Sequence, residues 1–373
     1  MPSVGHTVAE GTAAPGDTLP AMISFARGAP APECLAVELL ADCARVAVER
    51  DPSVLAYGPA GGYMPLRERL AAHHGVEPAR VLLTSGALQG LAFVFEELLA
   101  ARPGRVLVEA PTYDRPLRLL ARLGAEVVGL PMDEEGLDPD ALERELAGAA
   151  SFLYTIPTFQ NPSGRTLSVE RRHRVVELAA AHGVPVLEDD PYGLVRYEGE
   201  APPSLRELGG DAVLYTSSFS KTVAPGLRVG WFVLPVELAA RVEARAVSTY
   251  ISPPFLPQAV VFELLDRGAF DANVERIRGL LRGRRDAMLS ALERELGGRA
   301  GWNRPEGGYF LWAELPVETG PLLERAEAAG VSFVKGADFF PAGAGGERSA
   351  RLAFSYESPS AIDDGISLLS SLL

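Results

Sequence analysis

The sequence predicts an α/β protein, built on a mainly parallel sheet between helices, with a smaller α+β domain following it. Three observations carry that expectation. From residue 80 onward, short runs rich in β-branched residues alternate with stretches of helical periodicity, the mark of strands joined by crossover helices. A polar or glycine-bearing segment begins where each of five such runs ends, and ligands bind outside the carboxyl ends of strands in parallel sheets. The chain's 373 residues exceed one typical domain and suit one large unit plus a smaller one.

Residues 1–22, rich in Gly, Ala, Pro and Thr, read as a flexible arm. They carry Glu10 and Asp17 and no apolar core, which argues against a signal peptide. Residues 23–50 are expected to join the small domain, and Leu35, Leu39, Leu40, Cys43 and Val46 fall at helical spacing. Strands are expected at Val81–Thr84, Arg105–Glu109, Glu126–Leu130, Ser151–Thr155, Val184–Glu188 and Val213–Thr216, with helices such as Leu88–Leu99 and Val169–Ala181 between them. The Ile251-Ser252-Pro253-Pro254-Phe255 segment reads as a linker. It divides a large domain, 51–255, from a small one, 256–373. The latter holds a long helix over about Ala272–Leu296, strands near Tyr309–Glu314 and Ala350–Phe354, and a closing helix from Pro359.

Composition excludes several function classes. Hydrophobic residues make up 47% and charged residues 23%, ordinary for a soluble globular chain. The net charge of −14 repels nucleic acid and anionic membranes. No apolar run reaches the roughly 18 residues that span a bilayer. Cys34 and Cys43 form no CxxC pair, so neither a disulfide framework nor a zinc site is expected, and a reducing cytoplasm is. His73-His74 and the other histidines show no metal spacing. Gly58–Gly62 is a turn, and no nucleophile elbow or P-loop is present.

The five loops are Ser85-Gly86-Ala87, Pro111-Thr112-Tyr113, Gln160 to Gly164, Asp189-Asp190-Pro191-Tyr192, and Ser217 to Lys221. Each alone has an ordinary explanation: a helix cap, a covered sheet end, an Asn-Pro turn, solvated carboxylates, a surface lysine. The Lys221 segment is different. Ser218, Ser220 and Arg228 bring hydroxyls and a guanidinium around turn residues, a set suited to a phosphate ester. A lysine among apolar neighbours can lose its proton and attack a carbonyl. Together they imply an aldehyde cofactor bearing phosphate.

These segments resemble the fold-type I pyridoxal-phosphate aminotransferases, of the branch holding 2-aminoadipate aminotransferases and the effector domains of MocR-type regulators. The likeness runs from about Ile23 to the C-terminus. It includes Tyr57-Gly58-Pro59 with Gly62-Tyr63 and Leu66-Arg67, the five loops, and Arg351-Leu352. The resemblance implies pyridoxal 5'-phosphate as cofactor and Lys221 as its Schiff-base lysine. It implies that Asp189 pairs with the ring nitrogen, that Asn161 and Tyr192 bond the ring hydroxyl, and that Tyr113 stacks on the ring. Ser218, Ser220 and Arg228, with backbone N–H groups of Gly86, Ala87 and Leu88, match the phosphate clamp, and Tyr57 matches a contact across a homodimer. Arg351, with Gly28 and Asn161, matches the site of the substrate α-carboxylate. Lys221, Asp189 and Tyr192 are the expected catalytic residues.

Two departures stand out. Ala87-Leu88 replaces a frequent Ser-Gln pair, and Arg27 stands where relatives often carry a small residue. Arg27 is expected to adjust side-chain preference. The implied reaction moves an amino group between an L-amino acid and a 2-oxo acid. The alternatives are an eliminase, replacement enzyme or cyclase on the same fold, and a ligand-sensing regulator. The regulator fares poorly on charge and on the short stretch preceding the matching region.

Overall fold

The computed structural model describes residues 22–341 and 345–373; the arm expected at the N-terminus lies, apart from Met22, outside the described residues. An eight-stranded sheet dominates. Its strands lie in the order Val81–Thr84, Gly230–Val233, Val213–Ser218, Val186–Asp189, Ala150–Thr155, Arg105–Ala110, Val127–Asp133 and Gly136–Leu137. Gly230–Val233 and Gly136–Leu137 run antiparallel to their neighbours, and the other pairings are parallel.

Strand alternation explains why both faces are covered. Val106 and Val108 point into one apolar cluster with Phe152, Leu187 and Phe232, beneath the helices Ala87–Ala101 and Val236–Tyr250. Leu107, between them in sequence, joins Leu153, Val186 and Val213 on the other face, under Pro139–Leu146 and Val169–Ala181. A sheet apolar on both faces is what crossover helices require. Val169–Ala181 begins where Ser168 accepts from the Arg171 N–H, and it buries Val175, Leu178 and Ala179.

The structure differs from the sequence expectation at several points. Gly230–Val233, read only as the tail of the Lys221 segment, is a buried strand in hairpin with Val213–Ser218. The strand expected from Val184 begins at Val186, because Pro185 has no N–H to give; its carbonyl accepts from Leu153 N at 3.0 Å. Residues 256–266, assigned to the small domain from sequence with no element named there, lie in a helix Phe255–Asp266 that packs Ala259, Val260 and Leu264 with Leu66, Val81 and Val233 on the large-sheet side.

The C-terminal part holds a four-stranded antiparallel sheet, ordered Gly301–Trp302, Phe310–Glu314, Ser349–Ala353 and Val334–Lys335. The long helix Phe270–Leu296 and the closing helix Pro359–Ser371 cover it. Ile23–Ser24 pairs in parallel with Val331–Ser332, and Phe25, Ala31 and Cys34 enter the same core. The helix Val37–Arg50 instead joins the large-sheet side through Cys43 and Ala47. Among the described residues, no helix is long and apolar enough to cross a membrane.

Candidate active site

The five loops meet at the carboxyl edge of the sheet, where the N-terminal segment and the strand Ser349–Ala353 close over them. Lys221 lies three residues past the strand Val213–Ser218. Its Nζ donates to the Gly28 carbonyl at 2.7 Å and stands 5.0 Å and 5.6 Å from the ring centres of Tyr309 and Tyr192. Gly28 is needed there: a Cβ would sit 2.7 Å from the Phe310 ring. The Tyr309 hydroxyl donates to the Lys221 carbonyl at 2.9 Å. Burial, then the charges of Arg351 and Arg228, pull the Lys221 pKa down to about 8. An appreciable part of this amine is therefore neutral and nucleophilic near neutral pH.

Asp189 is buried at the end of its strand. Tyr154 donates its hydroxyl to Oδ2 at 2.7 Å, while Oδ1 is buried with no partner among the described residues. Burial lifts its pKa to about 7, with Asp190 and Glu109 adding to the rise and Tyr154 opposing it. A buried carboxylate oxygen without a donor suits an N–H⁺ group placed against it. Tyr113, half-buried just before the helix Asp114–Arg122, has its hydroxyl pushed up to about 12 by burial, then by Asp114 and Asp189. Tyr192 is buried, its ring tilted against Tyr309 and edge-on to Phe310. Burial holds its hydroxyl far above the ordinary tyrosine range.

Arg351 and Asn161 touch. Arg351 Nη1 donates to Asn161 Oδ1 at 3.0 Å and Nη2 to the Ala26 carbonyl at 2.7 Å, while Nε is buried with no partner among the described residues. The guanidinium lies 4.3 Å from the Phe310 ring centre and 5.0 Å from that of Phe339. Burial lowers its pKa to about 10, still leaving a cation at neutral pH. A buried guanidinium that makes no ion pair with a carboxylate among the described residues is a natural seat for one.

Beside these groups lies a cradle. Ser218 Oγ donates to Ser220 Oγ at 2.8 Å and accepts from the Ser220 N–H at 3.1 Å. Arg228, in the left-handed region at φ 53°, reaches toward the Ser85 carbonyl at 3.5 Å. Gly86 precedes the helix Ala87–Ala101 with φ 84° and caps it with no side chain, so first-turn N–H groups of Ala87 and Leu88 stay open. A Cβ on Gly86 would lie 2.2 Å from Arg228 Nη2, and one on Gly230 would lie 2.3 Å from the Ala87 nitrogen. Glycine at both positions lets a helix start, two hydroxyls and a guanidinium converge as an anion site.

Two expected members stand apart. Tyr57 is 83% exposed and meets none of the other site residues within the chain. Arg27 is exposed and lies over the Tyr356 ring, 4.2 Å from its centre. Sequence reasoning missed Tyr154 and Tyr309. Tyr154 pairs in register with Leu187, which sets it on the face of Asp189, two residues on; only the strand register reveals that.

The family model described as "Aminotransferase class I and II" matches residues 23–334. The chain belongs to this family. It is 39% identical over 356 residues to a 2-aminoadipate transaminase of Thermus thermophilus, covering 93% of this chain and 89% of that protein. It is 34% identical over 365 residues to an aromatic-amino-acid aminotransferase of Thermococcus litoralis, covering 93% and 87%. A Thermus thermophilus α-aminoadipate aminotransferase, solved with N-(5'-phosphopyridoxyl)-L-leucine, superposes with a TM-score of 0.90 at 37% identity, covering 94% of this chain and 92% of that one. The protein is an aminotransferase, and its cofactor is pyridoxal 5'-phosphate. The residues present fit that cofactor, which asks for a neutral amine, a buried anion opposite a ring N–H⁺, and a phosphate cradle.

Proposed function

We propose that this aminotransferase carries its cofactor on Lys221 and moves an amino group between an L-amino acid and a 2-oxo acid within the cluster described above. The observation that carries this reading is the orphaned Asp189 Oδ1 in the same loop cluster as an amine of lowered pKa. When bound, the cofactor supplies a carbonyl carbon for amines and a ring that draws electrons from Cα.

The chain's own residues do the rest. Asp189, oriented by Tyr154, keeps the ring nitrogen protonated and so keeps the ring electron-poor. Asn161 and Tyr192 address the ring hydroxyl, and Tyr113 covers a ring face. Ser218, Ser220, Arg228 and the N–H groups of Gly86, Ala87 and Leu88 hold the phosphate; with Ala87-Leu88 in place of hydroxyl and amide side chains, more of that hold falls to the backbone. Arg351 takes the substrate α-carboxylate in a two-pronged grip, beside Asn161 and Gly28. That grip sets which Cα bond stands perpendicular to the ring. Lys221 removes the proton from Cα as general base and later returns it.

Arg27 is assigned to side-chain preference, since its neighbours Ala26 and Gly28 offer their carbonyls to Arg351 and Lys221. Arg27→Ala is expected to change the ranking of amino donors by kcat/KM while leaving cofactor binding intact. An unchanged ranking removes the assignment.

We place the enzyme in the cytoplasm as a homodimer, with Tyr57 reaching the partner's phosphate site. Free, buried Cys34 and Cys43 suit a reducing compartment. Leu55, Tyr57 and Met64 are exposed apolar side chains on one short stretch of chain, as a subunit contact would have. Dilution to monomer should loosen the cofactor; a monomer that retains it fully contradicts the role of Tyr57.

The reaction class is tested by a single turnover against a panel of amino acids. Appearance of a 2-oxo acid, with the cofactor left in its amine form, supports transamination and identifies the donor. Loss of a β-substituent or ring closure without that conversion contradicts it.

A further inference from the structure

Glu109 has no part in the site as described, yet it is the carboxylate on which two of the site's loops are hung. It stands near the carboxyl end of the strand Arg105–Ala110 and is 1% exposed. Three donors converge on it: Thr155 Oγ1 at 2.5 Å, the Ile156 N–H at 3.2 Å and Gln160 Nε2 at 3.0 Å. Gln160, also buried, uses the same Nε2 to donate to the Pro111 carbonyl at 2.7 Å, and its Oε1 accepts from the Ser163 N–H at 2.8 Å. One amide thereby spans two loops. Pro111 is two residues from Tyr113, and Gln160 is adjacent to Asn161.

A primary amide can face either way round, since its oxygen and nitrogen are nearly the same size. Glu109 removes that freedom, because an anion accepts from the –NH₂ end and repels the oxygen. With the nitrogen fixed toward Glu109 and Pro111, the oxygen is left for Ser163. Glu109 lies on the sheet face of Leu107, opposite that of Asp189, so it can serve the two loops without meeting the reacting atoms. Burying a carboxylate costs free energy that an apolar side chain would not. Its three matched donors offset that cost only while the loops stay where they are.

We propose that Glu109 is a positioning residue: acting through Gln160, it fixes the Tyr113 loop against the Asn161 loop at the spacing a flat ring between them requires. This rests on the reading of Tyr113 and Asn161 given above.

The test uses holoenzyme and three variants, with the visible circular dichroism of bound cofactor, the cofactor dissociation constant and Tm as readouts. Gln160→Asn keeps a polar amide but is one methylene too short to reach Glu109, Pro111 and Ser163 together. It is expected to weaken the dichroic band per bound cofactor and to raise the dissociation constant about tenfold, the worth of one hydrogen bond. Thr155→Val removes a different donor to Glu109 without touching the link between loops; it should lower Tm and leave the band alone. Glu109→Gln keeps the shape but lets the Gln160 amide turn over, so it should weaken the band per bound cofactor, by less than Gln160→Asn does; an unaltered band in Glu109→Gln also overturns the proposal. The proposal is overturned if Gln160→Asn binds cofactor within about twofold of wild type with an unaltered band. It is equally overturned if Thr155→Val reproduces the Gln160→Asn change at a matching loss of Tm. A wild-type protein with no visible cofactor band contradicts the reading of Lys221 itself, and that outcome is separate from either variant result.

Discussion

Lys221→Ala should lose the visible band of lysine-bound cofactor and lower turnover by about four orders of magnitude or more. Two separate losses combine in it. The amine that forms the covalent link is gone, and so is the base at Cα, whose removal alone costs roughly 10²–10⁴-fold. The fold should survive, because among the described residues the side chain makes a single hydrogen bond, to the Gly28 carbonyl. Removing a charge that burial and two arginines disfavour should leave Tm equal to or above that of the wild type. The same shift gives the wild type a pH signature. With its pKa lowered to about 8, Lys221 is protonated below that pH and neutral above it. Cofactor attachment should therefore quicken up to about pH 8 and level off, where an ordinary lysine would keep gaining to about 10.5. Attachment still rising steeply between pH 9 and pH 10 would contradict the shift.

Asp189→Asn should divide function from stability. Turnover is expected to fall about 10²–10³-fold, because a neutral amide cannot hold the ring nitrogen protonated. Stability of the cofactor-free protein should move the other way. The folded-state pKa of Asp189 is raised from 3.8 to about 7, so the native state keeps a proton that the unfolded chain has lost. Its contribution is present below pH 3.8 and declines as pH rises to about 7, where the unpartnered anion must be buried. The asparagine variant has no such decline. Without cofactor it should exceed wild type at pH 8 by on the order of a few kcal/mol and match it near pH 4. Cofactor should narrow the difference at pH 8, since the ring N–H⁺ supplies the missing partner. Parallel stability curves for the two proteins from pH 4 to pH 8 would refute the account of Asp189.

Much of this site was legible because its chemistry is local in sequence. Ser218, Ser220, Lys221 and Arg228 fall within one short run, and Asp189 and Tyr192 within another. Strand ends could be placed because buried parallel strands are short, apolar and followed by polar loops. What escaped depends on pairings between distant segments. Gly28 is expected beside the substrate carboxylate, but not its contact with Lys221, 193 residues away, and Tyr309 lies 88 residues beyond that lysine. Tyr154 lies within a fully buried strand, and only the register of that strand sets it beside Asp189. The helix Phe255–Asp266 is apolar enough to fit either core, and periodicity does not say which one it meets. Glu109 closes a strand of valines and leucines, and its purpose shows only when Gln160 folds back against it.

The most direct test of the central claim is chemical. The chain contains two lysines, Lys221 and Lys335; Lys335 pairs with Asp338 at 3.4 Å in the small domain. Holoenzyme reduced with borohydride, digested and read by mass spectrometry reports which amine carries the cofactor. A phosphopyridoxyl mass on the Lys221 peptide alone, with Lys335 unmodified, is the predicted result. The adduct on Lys335, or bound cofactor attached to neither lysine, would contradict it.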